Sequence, residues 1–214
     1  MKSKILLIGL IFLLCLPGCL VKSLRPFYTD EDVVFFKSLT GKWIDQDSTL
    51  WEIEQWGNFS GLFKPDTPDS SYRITMTDNK GKGIFHAHLF CLKNKFFIDF
   101  FPKETDSDNE LLGMHMVPSH SVARVLFKGD KIQIRWYNEE WLSDLFKQNR
   151  IRLSHVEIPY EASVNDETSQ IILTASTTEL QKFLLKYGDD PQAFSKGGDE
   201  DYNVVLDFTL SRLR

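Results

Sequence analysis

Runs in which apolar and polar residues alternate, or in which β-branched and aromatic residues crowd together, recur along most of this chain. They fall at 42–45, 49–56, 71–77, 82–92, 95–101, 121–127 and 131–137, and such runs read as strands. Turn chemistry lies between several of them. Asp78-Asn79-Lys80-Gly81 joins 71–77 to 82–92, Lys93-Asn94 joins 82–92 to 95–101, and Lys128-Gly129-Asp130 joins 121–127 to 131–137. Tight turns between sequential strands make an antiparallel meander. Gln170 to Ala175 reads as a further strand, and Val204, Leu206, Phe208 and Leu210 alternate cleanly as a last one. Pro65 and Pro68 mark one exposed loop, Lys103 to Glu110 a second and residues 189–201 an acidic third.

Two stretches carry the helical period instead. Between Glu139 and Asn149, the residues Trp141, Leu142, Leu145 and Phe146 form a stripe at i, i+3 and i+4, which predicts a short amphipathic helix. Ser176-Thr177-Thr178-Glu179 has the spacing of a capping box, with Leu180, Phe183, Leu184 and Tyr187 behind it on one face and Gly188 at the far end. Thr29, followed by Asp30, Glu31 and Asp32, predicts a helical turn running to about Leu39. The chain therefore reads as mainly β (α+β), an antiparallel β-barrel or strongly curved meander sheet with two short amphipathic helices. Residues 41–214 form one globular domain without internal repeats.

A short helical turn, then Gly41-Lys42-Trp43, then a meander is similar to the opening of lipocalin-like barrels. The resemblance implies that Trp43 plugs the closed end of a barrel whose open end receives an apolar ligand. By itself Trp43 reads first as an ordinary core residue on a first strand. Pro26-Phe27-Tyr28, Gly41-Lys42-Trp43, Ala87-His88-Leu89-Phe90 and Leu173-Thr174-Ala175-Ser176 also resemble motifs of uncharacterised bacterial lipoproteins. That likeness implies no activity.

The N-terminus changes the picture most. Lys2 and Lys4 precede an apolar run from Ile5 to Leu16, closed by Leu16-Pro17-Gly18-Cys19. The run is too short to cross a bilayer, which takes about 20 residues, and has the form of an export signal. Leu-x-Gly-Cys resembles a bacterial lipobox. The resemblance implies diacylglycerol on the Cys19 thiol, cleavage after Gly18 and acylation of the freed amine. Several acyl chains on one residue anchor stably where a single chain is marginal. Residues 1–18 are then a signal peptide and 19–40 the lipidated cysteine, a tether over 20–28 and the helical turn. Leu20, rather than an acidic residue, follows the cysteine, which favours an outer over an inner membrane.

Composition narrows the function further. The chain has 17 Phe and 5 Trp, so its core is rich in rings. With Cys15 lost and Cys19 acylated, Cys91 is the remaining thiol and no internal disulfide can form. In its apolar run Cys91 reads as buried and inert. Loss of Lys2 and Lys4 takes the formal charge from −5 to −7. An acidic chain without a clustered basic face excludes nucleic acid.

Candidate chemistry is sparse. His86 and His88 are two apart on a predicted strand and so share a face. His115 and His120 follow, with Asp99 and Glu110 available, and three imidazoles could converge on zinc or iron. Asp99 interrupts Phe96-Phe97-Ile98-Asp99-Phe100-Phe101, which is otherwise apolar on both faces. A carboxylate there either faces water or is bonded within the core. Glu52 and Glu54 read as a solvated edge, and Ser60 lacks the spacing of a nucleophile elbow. No residue is expected to be catalytic or to bind a cofactor or metal, with His86, His88, His115 and His120 as the candidate metal ligands. The expectation is a membrane-anchored envelope lipoprotein that binds an apolar ligand or an envelope protein without catalysis. The alternatives are a structural or interaction role in envelope assembly without a cavity, and a metal-dependent enzyme using the histidines.

Overall fold

A computed structural model describes residues 20–57, 70–105, 117–159, 169–194 and 207–213. Cys19, Ser60, Pro65, Pro68, Glu110 and His115 lie outside the described residues, as do parts of the three expected loops.

The meander closes. Strands β2 (Gly41–Ile44), β3 (Leu50–Gln55), β4 (Tyr72–Asp78), β5 (Gly81–Leu92), β6 (Lys95–Thr105), β7 (His120–Lys128) and β8 (Lys131–Trp136) pair in sequence, each antiparallel to the next. Strand β11 (Asp207–Arg212) fits between β8 and β2 and completes an eight-stranded antiparallel barrel of the lipocalin-like kind expected. A wing leaves the wall beside β7. There β1 (Lys22–Ser23) pairs with β7 and, in parallel, with β10 (Ser169–Leu173), and β10 pairs with β9 (His155–Pro159).

Alternation along each strand sends one set of side chains inward. Trp51, Ile53, Tyr72, Ile74, Leu89, Ile98, Phe100, Ile134 and Trp136 belong to this inner core. Its rings interlock: Trp51 lies 6.1 Å from Trp136 and 5.7 Å from Phe208, and Phe100 lies 4.8 Å from Trp136 and 5.9 Å from Phe85. Small barrels of this strand number are wide enough for side chains to fill.

The outer face of β5, β6 and β7 is buried too. Helices α1 (Glu139–Lys147) and α2 (Thr177–Tyr187) turn their stripes onto it, so Phe90, Phe97 and Val122 share a second core with Leu142, Leu145, Phe183 and Leu184. A strand with cores on both sides needs apolar residues at every position, which accounts for Phe96–Phe101. The expected capping box of α2 forms, and α1 has a cap of its own. Ser176 and Glu179 exchange both capping-box bonds, and the Asn138 side chain accepts from the Glu140 and Trp141 amides.

The expected tether over 20–28 is a correction. Leu20 bridges to Asn138, Val21 is 1% exposed and Phe27 is fully buried. Val21 and Phe27 are apolar and join the second core while Leu20 packs against the inner one, so the segment joins the fold instead of hanging free of it. The helical turn shrinks to a 3-10 turn at Lys37–Leu39. The preceding strap closes one barrel end, with Phe36 packed 5.4 Å from Phe96 and 5.7 Å from Phe127.

Candidate functional site

Period-two geometry puts His86 and His88 on the outer face of β5, where their rings lie 4.5 Å apart. Each is stacked on a further ring: His86 on Trp56 at 4.1 Å and His88 on Tyr28 at 4.2 Å. The Nε2 atom of each ring is engaged. His86 Nε2 shares a 2.7 Å hydrogen bond with Ser71 Oγ, and His88 Nε2 a 3.3 Å one with the Tyr28 hydroxyl. Ser71 is fully buried.

Asp99 faces His88 across the β5–β6 register but bonds elsewhere. Its Oδ1 lies 2.8 Å from His120 Nδ1, and its Oδ2 accepts the Phe27 amide at 3.0 Å. Asp99 is thus the bonded core acid of the two readings. Burial holds its carboxyl above the usual carboxylate range, against the opposing pull of His120 and the Phe27 amide. A carboxylate that orients an imidazole is half of a base-and-nucleophile arrangement. Among the described residues no hydroxyl or thiol bonds to His120, so the nucleophilic half is missing. The pair's evident work is to fasten the strap, through Phe27, to the barrel wall.

Among the described residues no group of three His, Cys, Asp or Glu side chains is placed to hold a metal ion. His86, His88 and His120 therefore do not form the three-ligand site kept as a candidate. His86 and His88 adjoin one another, while His120 is turned onto Asp99, and His115 lies outside the described residues. Cys91 is half-buried instead of fully enclosed, because it lies where the strap meets β5 and its amide bonds the Asp32 carbonyl at 3.0 Å.

Trp43 does sit in the inner core beside the closing turn. Its indole donates to the Leu39 carbonyl at 2.9 Å and it is 4% exposed. Arg212, which sequence reasoning passed over, lies 4.2 Å above the Trp43 ring and donates to the carbonyls of Thr40, at 3.1 Å, and Ser38. Its signal was available: Arg212 shares the inward parity of Phe208 and Leu210. A half-open groove of about 380 Å³ runs outside this end, bordered by Phe35, Lys37 and the 2.6 Å ion pair of Lys42 with Glu52. No helix among the described residues is long and apolar enough to cross a membrane. The chain matches no protein-family model, no curated protein and no solved structure.

Proposed function

We propose that this protein is a bacterial envelope lipoprotein, held by acyl chains on Cys19 to the outer rather than the inner membrane, whose barrel domain binds a protein partner and performs no catalysis. The filled barrel carries the choice of partner. Trp51, Phe100, Trp136 and Phe208 occupy the space in which an apolar ligand would lie, and ligand sites of that kind need some 300–1,000 Å³ of concave room. The engaged histidines and the buried Ser71 support a non-catalytic reading. The groove beside Lys42 and Glu52 favours a second reading, a small polar ligand held outside the barrel.

Metabolic labelling with palmitate tests the anchor. The wild-type chain takes up label and sediments with membranes, and Cys19→Ser abolishes both. Undiminished label on Cys19→Ser would overturn the lipobox assignment. Cross-linking in the intact envelope followed by native mass spectrometry tests the rest. A discrete protein adduct is the expected result. A co-purifying small molecule without such an adduct would replace the partner with a ligand, and a chelatable metal would restore the enzyme.

A further inference from the structure

The wing has two unlike faces. Val21, Ser23, Ile171 and Leu173 point into the second core and are buried. On the opposite face Val156 and Ile158 are each 46% exposed, and Leu24 is 48% exposed. The register unites them: Val156 is opposite Ile172, Ile172 is opposite Lys22, and Ile158 is opposite Gln170. Exposed apolar residues thus lie on β9 and just past β1, with half-buried Ile172 of β10 between them, an arrangement that marks an interaction surface.

Basic residues border this surface in a chain of net charge −5. Lys22 lies within it. Arg25 and Arg152 flank its far end, where the Leu24 amide bonds the Leu173 carbonyl at 3.0 Å and the Thr174 amide bonds the Ser154 carbonyl at 2.8 Å. Among the described residues none of the three has a carboxylate within ion-pair distance. Apolar side chains rimmed by cations that have no carboxylate partner among the described residues match the headgroup layer of an anionic bilayer.

The position of Cys19 makes the bilayer the fitting occupant. Leu20 is fixed by its bridge to Asn138, and the Val21 amide bonds the Tyr137 carbonyl at 3.2 Å. Cys19 directly precedes Leu20 in the chain. Strand β1 begins two residues further on and pairs with β10, whose other neighbour is β9, so Val156 lies two strands, roughly 10 Å, from Lys22. Acyl chains on Cys19 would leave the domain no room to stand off.

Resting on the Cys19 anchor, we infer that the face bearing Leu24, Val156 and Ile158 lies on the anionic phospholipid surface that receives the acyl chains. The barrel is thereby held in one orientation, with the β7–β8 turn away from the lipid. The test uses the full lipidated chain with Cys91→Ser, reconstituted in vesicles of phosphatidylethanolamine and phosphatidylglycerol. Leu24→Cys, Val156→Cys, Ile158→Cys or Asp130→Cys is added one at a time and labelled with an environment-sensitive fluorophore. Flotation reports the anchor, and quenching by nitroxide-bearing lipids reports the face. The expected result is flotation of all four, with a blue shift and quenching at 24, 156 and 158 and neither at 130. Vesicles of phosphatidylcholine alone should weaken the quenching. Flotation with labels at 156 and 158 no more quenched than that at 130 overturns the wing inference and leaves the anchor standing. Failure to float overturns both.

Discussion

At Gly41 the backbone takes φ +133°, and a β-carbon there would come within 2.5 Å of Arg212 Nη1. Gly41→Ala therefore both strains the chain and displaces the guanidinium from Trp43, and should cost more than about 1 kcal/mol. Arg212→Ala loses the stacking and the two carbonyl bonds, for about 1–2 kcal/mol, and Arg212→Lys recovers little because an ammonium lacks the planar fork. Urea unfolding reads all three; an unchanged midpoint for Arg212→Ala would remove it from the closing device. Gly41 and Trp43 are legible from their spacing, whereas Arg212 shows in the sequence only its inward parity with Phe208 and Leu210, which does not say that it stacks on Trp43. Asp99 behaves differently. Its folded pKa lies above the unfolded one, so its contribution is fully present below the unfolded value and fades as pH rises through the folded value. Asp99→Asn cannot ionise. The stability of wild type relative to Asp99→Asn should thus fall with rising pH above the usual carboxylate range, and a rising difference would contradict the burial argument.

Among the elements, the helix with both local and tertiary signals was read closest to its true bounds. α2 carries its capping box in the sequence, and Ser176→Ala should cost about 1 kcal/mol, seen as a lower thermal midpoint with the helical signal otherwise intact. Gly188 ends the helix for a reason the sequence did not disclose. Its φ is not left-handed; a β-carbon there would meet the Leu184 carbonyl at 2.6 Å and the Phe97 ring at 3.0 Å. Strands β1 and β9 were missed outright. β1 has two residues, too few for any period, and it forms because the wall beside β7 is vacant once β8 ends at Trp136. β9 ends in Pro159, a residue that speaks against a strand interior but suits a sheet edge. Local pattern carries no information about such vacancies.

For the whole molecule the decisive element is β6, a single wall between two cores. Phe97 belongs to the outer core, and Ile98 and Phe100 to the inner one. Phe97→Ala and Phe100→Ala should each cost about 3–5 kcal/mol, and each should shift one common transition. Coincident tryptophan fluorescence and far-ultraviolet circular dichroism would bear this out; separate transitions would mean that the helical layer unfolds on its own. The barrel was legible because its strands alternate and its turns are tight. The histidine arrangement was not, because sequence spacing fixes which face a side chain leaves from but not which neighbour claims its nitrogens.

The barrel seam has a consequence in time. β11 meets β2 through Ser211 opposite Ile44 and Arg212 opposite Trp43, so the ring is joined by residues made long after its first strand. At about 5–20 residues per second of synthesis, β2 waits on the order of ten seconds for its neighbour. Until β11 arrives, β2 and, once it is made, β8 present bare backbone edges, the kind of template on which nascent chains stick to one another. Crossing a membrane before folding would hide those edges from other copies until the last strand arrives.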